Sequence, residues 1–118
     1  MSIYYNILLM GSPYNFMRLL LFFDLPMNTK AERRIYSKFR KTLISDGFIM
    51  LQFSVYVKIF PNRDSLMQYT ERLKRNLPSK GSIRIMAVTE KQYGNMQVLV
   101  GGKSLQESTI SNESMVIL

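Results

Sequence analysis

The sequence predicts an α+β sandwich of the ferredoxin-like kind, βαββαβ, with two helices on one face of an antiparallel sheet and an extra C-terminal strand. Three observations predict it. A near-continuous apolar run at 16–24 has the length of a central strand buried on both faces. Two amphipathic helical patterns, each with its own start and stop residues, occupy 29–45 and 63–77. Between and after them lie strand-like runs at 48–60, 82–90 and 96–101.

Each element has a local reason. Pro26 ends the first run, because proline cannot serve a central ladder. Thr29 and Glu32 then have the spacing of a capping box. Ala31, Ile35, Phe39 and Leu43 recur every fourth residue, predicting the buried stripe of the first helix, and Gly47 is its expected stop. The stretch "FIMLQFSVYVKIF" at 48–60 reads as one bent strand or as two short ones broken near Gln52. Asn62 is placed to cap a second helix whose stripe is Leu66, Thr70, Leu73 and Leu77, with Pro78 and Gly81 closing it. "SIRIMAVTE" alternates as a strand at 82–90, and "MQVLVG" follows as another at 96–101.

The domain is expected to span 16–103, preceded by an extension at 1–15 in which Met10, or Met17 just beyond it, is an alternative start. A polar tail at 104–118 ends in "SMVIL", a candidate edge strand at 114–118. The 118 residues suffice for one domain with its own core, and the apolar fraction of 47% fits a packed globule. Without cysteine or histidine the chain has no disulfides, no thiolate metal sites, no histidine catalysis and none of the usual zinc sites. The absence of cysteine fits a cytoplasmic setting. No apolar run is long enough to span a bilayer, and no membrane role is expected.

Charge points to a polyanion. Sixteen Lys and Arg against eight Asp and Glu give a net charge of +8, and all sixteen bases lie within 16–103. Lys30, Arg33, Arg34, Lys38, Arg40 and Lys41 fall on the side of the first helix away from its apolar stripe, with Glu32 as the helix's one acid. A solvated face usually mixes signs, so this face is read as a phosphate-contacting surface. Arg72, Lys74 and Arg75 in the second helix, then Lys80 and Arg84, are weaker candidates for the same role, and Lys103 joins them.

Asp24 closes the apolar run. It reads either as a structural acid, pairing with Arg33 or Arg34 or accepting turn amides, or as half of a divalent-cation site. The second reading needs a two-fold axis, since one carboxylate holds magnesium poorly while two facing carboxylates with waters hold it well. An RNA-recognition domain has the same fold, and "DGFIMLQF" partly meets its motif at Gly47, Phe48 and Phe53. Asp46, Ile49 and Met50 break that motif, so single-stranded RNA binding stands as an alternative.

The blocks "MRLLLFFDLP", "AERRIYSKFRKTL", "GFIMLQFSVYVK" and "IRIMAVTEKQ" together resemble the CRISPR-associated protein 2 family over about residues 16–103. The likeness is to its type II-A branch. The resemblance implies antiviral defence through spacer acquisition. It implies a homodimer of ferredoxin-like domains that holds a protospacer DNA duplex between dimers of the CRISPR integrase subunit. It also implies a magnesium-dependent endoribonuclease activity with Asp24 as metal ligand and catalytic residue. No general base stands out beside Asp24, and Glu32 is explained as a cap, so the expected role is a non-catalytic scaffold, with nuclease activity as the alternative.

Overall fold

The apolar run from Met17 to Asp24 becomes β1 and sits inside a four-stranded antiparallel sheet of order β2-β3-β1-β4. In the computed structural model, which describes residues 15–101, β1 is followed by α1 (Lys30–Ser45), β2 (Ile49–Gln52) and β3 (Val55–Phe60). Then come α2 (Arg63–Leu73), which a 3-10 turn prolongs over Lys74–Asn76, β4 (Ser82–Thr89) and a short α3 (Glu90–Gly94). The order is that of the ferredoxin-like sandwich. Residues 1–14 and 102–118 lie outside the described residues, and with them the extension, Lys103 and the candidate strand at 114–118.

Alternation along β1 sends Met17, Leu19, Leu21 and Phe23 into the core beneath both helices, where they meet Phe39 and Leu43 of α1 and Leu66, Tyr69 and Leu73 of α2. The ring of Phe23 lies 5.3 Å from those of Tyr36 and Phe39 and 5.5 Å from that of Tyr56. The cap of α1 forms as its spacing predicts. The Glu32 amide donates to Thr29 Oγ1 at 3.1 Å, and the Thr29 amide donates to Glu32 Oε1 at 2.9 Å. Asn62 Oδ1 accepts from the Ser65 amide at 2.8 Å at the head of α2.

The 48–60 segment is two short strands broken after Gln52, the second of the two readings, joined as a tight hairpin with a bulge after Met50 and Ser54 at φ 66°, a left-handed turn made without glycine. Three expectations are corrected. In α1 the stripe holds only at Phe39 and Leu43, while Ala31 and Ile35 are exposed and Tyr36 packs on the core instead. A four-residue spacing drifts by about 40° per step on a 3.6-residue helix, which carries the stripe off the core over three steps. In α2 the core position is Tyr69, whereas Leu77 falls beyond the helix and is exposed. Residues 96–101 join no strand, and the chain forms α3 before them. Thr89 caps α3 through a box closed by Gln92.

Gly81 joins the end of α2 to β4 at φ +97°, directly against the end of β1. A Cβ there would stand 2.6 Å from the Asp24 carbonyl oxygen and 2.7 Å from Leu25 Cδ2. Gly81→Ala is therefore expected to destabilise the fold by about 2–3 kcal/mol, from the left-handed backbone and the clash together. Thermal unfolding should show a midpoint lowered on the order of 10 °C.

Candidate functional site

Asp24 is the last residue of β1, and the register assigns it to the face away from the helices, together with Arg18, Leu20 and Phe22. Its partner across the ladder is Ser82, and Arg84 is its diagonal neighbour on β4. Val57 and Leu20 are buried on this face, while Ile59 and Met86 are exposed. The Asp24 carboxylate is exposed and makes no hydrogen bond or ion pair with any described residue.

The structural roles considered for this acid are filled elsewhere. Arg33 Nη1 donates to the carbonyls of Met27 and Asn28, at 3.2 and 3.3 Å, rather than to Asp24. The turn amides of Asn28 and Thr29 donate to Glu32 Oε1 at 3.0 and 2.9 Å. Among the described residues no group of three acidic side chains could hold a metal ion. Magnesium takes about six oxygens, and the described residues of one copy do not supply a second carboxylate beside Asp24.

The basic residues divide into three groups. Lys30, Arg34, Lys38 and Lys41 lie within about 80° of one another around α1, a row opposite Phe39 and Leu43. All four are exposed and form no ion pair with described residues. Arg33 and Arg40 flank this row on the far side, and Arg33 is held by the loop carbonyls. Arg72 and Arg75 line a groove between α1 and α2 that also reaches Lys38. Lys74, between them, pairs with Glu71 at 2.9 Å. Asp24 and the α1 row thus sit on opposite layers of the sandwich. The structure brings Lys30, Arg34, Lys38 and Lys41 together, but not with Asp24, whose neighbouring cation is Arg84 on β4.

A cluster that sequence reasoning missed joins the end of α1 to α2 and β3. The Tyr69 hydroxyl donates to Asp46 Oδ2 at 2.8 Å, and Lys58 Nζ donates to the Asp46 carbonyl oxygen. The Lys58 ammonium lies 5.0 and 5.1 Å from the Phe60 and Tyr69 ring centroids. Burial lowers the Lys58 pKa, an effect partly offset by Asp46. Burial, then the hydrogen bond to Asp46, raises the Tyr69 pKa well above its ordinary value. Because the folded state keeps this proton, the stability it contributes is full below about pH 10, the value in an unfolded chain, and is lost as pH rises further. Tyr69→Phe should flatten the decline in stability above pH 10, measured by urea unfolding at a series of pH values.

The sequence pattern of the family described as CRISPR associated protein Cas2 matches residues 17–96. The chain belongs to the Cas2 family. Among its Cas2 relatives, a protein of Acidovorax ebreus is 48% identical over 95 residues, covering 80% of this chain and 93% of its own. One from Ligilactobacillus salivarius is 47% identical over 86% of this chain and 100% of its own, and one from Streptococcus mutans is 47% identical over 81% and 85%. All three are named CRISPR-associated endoribonuclease Cas2. The Cas2 match takes in β1 with Asp24, both long helices and their cations, and β4. Among the described residues, no helix is long and apolar enough to cross a membrane.

Proposed function

We propose that this Cas2-family chain is the DNA-holding scaffold of a CRISPR adaptation complex, of type II-A kind and in the cytoplasm. Two copies associate through the sheet face away from the helices and bridge dimers of the integrase subunit around a protospacer duplex. The observation that carries this reading is the separation of the acid from the cations. Among the described residues Asp24 has neither a second acidic ligand nor a base beside it, whereas Lys30, Arg34, Lys38 and Lys41 form a row suited to phosphates. Each phosphate contact releases counterions, so such a surface holds a duplex without reading its sequence. The exposed apolar residues Ile59 and Met86 on Asp24's face support a two-fold contact there, which would bring two Asp24 carboxylates together.

A second reading is favoured by the exposure of Asp24 and by the names of the relatives: a magnesium-dependent endoribonuclease. In that case Asp24 of two copies would supply the metal's protein ligands, and the metal would activate the attacking water. Single-stranded RNA recognition has less support. Phe48 is 2% exposed in the core and Phe53 sits in the hairpin turn at 68%, so the partial motif makes no stacking platform on the sheet.

The test is reconstitution with the integrase subunit, a protospacer duplex and a target array. Integration that requires this chain, with light scattering giving a dimer at micromolar concentration, supports the scaffold. A stable monomer, or integration equally efficient without the chain, refutes it.

A further inference from the structure

The apolar pattern of the two helices is longer than the core it covers. Ile35 and Leu77 occupy positions where helical periodicity predicts burial, yet they are 46% and 44% exposed. Both line the groove between α1 and α2, which has a volume of about 710 Å³ and apolar walls completed by Phe39, Leu73 and Pro78. An adjoining cavity of about 260 Å³ shares Ile35 and Pro78 and runs on past Ala31 to Leu25 and Pro26. Together they form one furrow along α1, within the size of ligand-binding clefts. Its rim carries Lys38, Arg72 and Arg75 at one end and Lys80 at the other. The Asp46 carboxylate, also at the rim, is already engaged by Tyr69.

We propose that this furrow receives an amphipathic helix of a partner protein, with apolar side chains on the inserted face and acidic residues along its flank. Charge complementarity selects the acidic flank, because four cations face two carboxylates, Asp46 and Glu32, both already engaged by hydrogen bonds. No strand residue lines the furrow, so an extended segment finds no ladder to join there, whereas a helix satisfies its own backbone. A duplex is excluded by shape, since its phosphates cannot follow apolar walls into a cleft of this size. Of the α1 row the furrow takes in Lys38 and leaves Lys30, Arg34 and Lys41 outside, so three of the four cations stay open to DNA when the furrow is occupied.

The test uses a phage-displayed library of 16-residue helical segments, with apolar residues fixed at four positions of one face and the rest random, selected against the full-length protein. The expected result is enrichment of clones with acidic flanks. These clones should bind Ile35→Ser with Leu77→Ser at least ten-fold more weakly, while duplex affinity is unchanged. Arg72→Gln with Arg75→Gln should remove the preference for acid. Both apolar residues are exposed, so the double variant should keep its helical circular dichroism. If it does not, the milder Ile35→Ala with Leu77→Ala should still weaken binding at least three-fold. No enrichment, enrichment without acidic bias, or clones indifferent to these substitutions would overturn the proposal. So would binding seen only after removal of residues 104–118, which would make the chain's own tail the occupant. Competition by saturating duplex would also overturn it, by making the furrow part of the DNA surface.

Discussion

Asp24→Asn should reduce any magnesium-dependent phosphodiester cleavage to background while leaving duplex binding and spacer integration nearly unchanged. Hydrolysis needs a bound metal to activate water and to stabilise developing charge, and within one chain Asp24 is the exposed acid on its sheet face with no partner among the described residues. Phosphate neutralisation needs only the cations of the other layer. The substitution is nearly isosteric and touches no described hydrogen bond, so stability should move by less than about 0.5 kcal/mol. If two copies face each other across this sheet, losing both charges should tighten the dimer in the absence of metal, because like charges at short range repel. Cleavage assays, integration assays and light scattering with and without magnesium make the separation. Integration lost in a variant with normal dimerisation and DNA affinity would assign this aspartate to the joining reaction itself.

Removing the α1 row, with Lys30, Arg34, Lys38 and Lys41 all changed to Ala, should weaken duplex binding on the order of 10²–10³-fold near 0.1 M salt. The slope of log K against log salt should become shallower by about 3.6, four phosphates at about 0.9 each. The loss should be the same for unrelated sequences, because phosphate contacts carry no sequence information. Arg33→Ala should do much less, since its guanidinium already serves the carbonyls of Met27 and Asn28. Titrations at four salt concentrations with two unrelated duplexes decide the matter. An unchanged slope would place the DNA elsewhere.

What could be read from the sequence was local, and what could not was set by partners distant in the chain. The caps at Thr29 and Asn62 depend on residues three apart, and both formed where their spacing put them. Asp24's place at a strand end followed from the apolar run and Pro26. Its face did not, because Leu19, Leu20 and Leu21 are all buried and the run gives no parity; only the β1–β4 ladder settles it. The six bases of α1 looked equivalent on a helical wheel, yet Arg33 turns back to a loop that the wheel does not contain. Asp46, Lys58 and Tyr69 lie on three elements, so nothing in their spacing announced the cluster. The Thr89–Gln92 box was a signal for α3, but no apolar run follows it to reveal a helix. At 96–101 the alternation suited a strand, but no strand of the described sheet pairs with it.

The strand order also sets the sequence of events during synthesis. Of the described strands β1 is made first, both of its neighbours in the sheet come later, and β4 is the last to emerge. Until then at least one edge of β1 stays uncovered, and "LLLFF" is the kind of short, uncharged, β-prone segment that stacks with copies of itself. Arg18 and Asp24 bracket that segment, one charge of each sign, in the positions where gatekeeper residues discourage such stacking. A charge at the end of β1 is therefore of use to a nascent chain whether or not the folded protein binds a metal there.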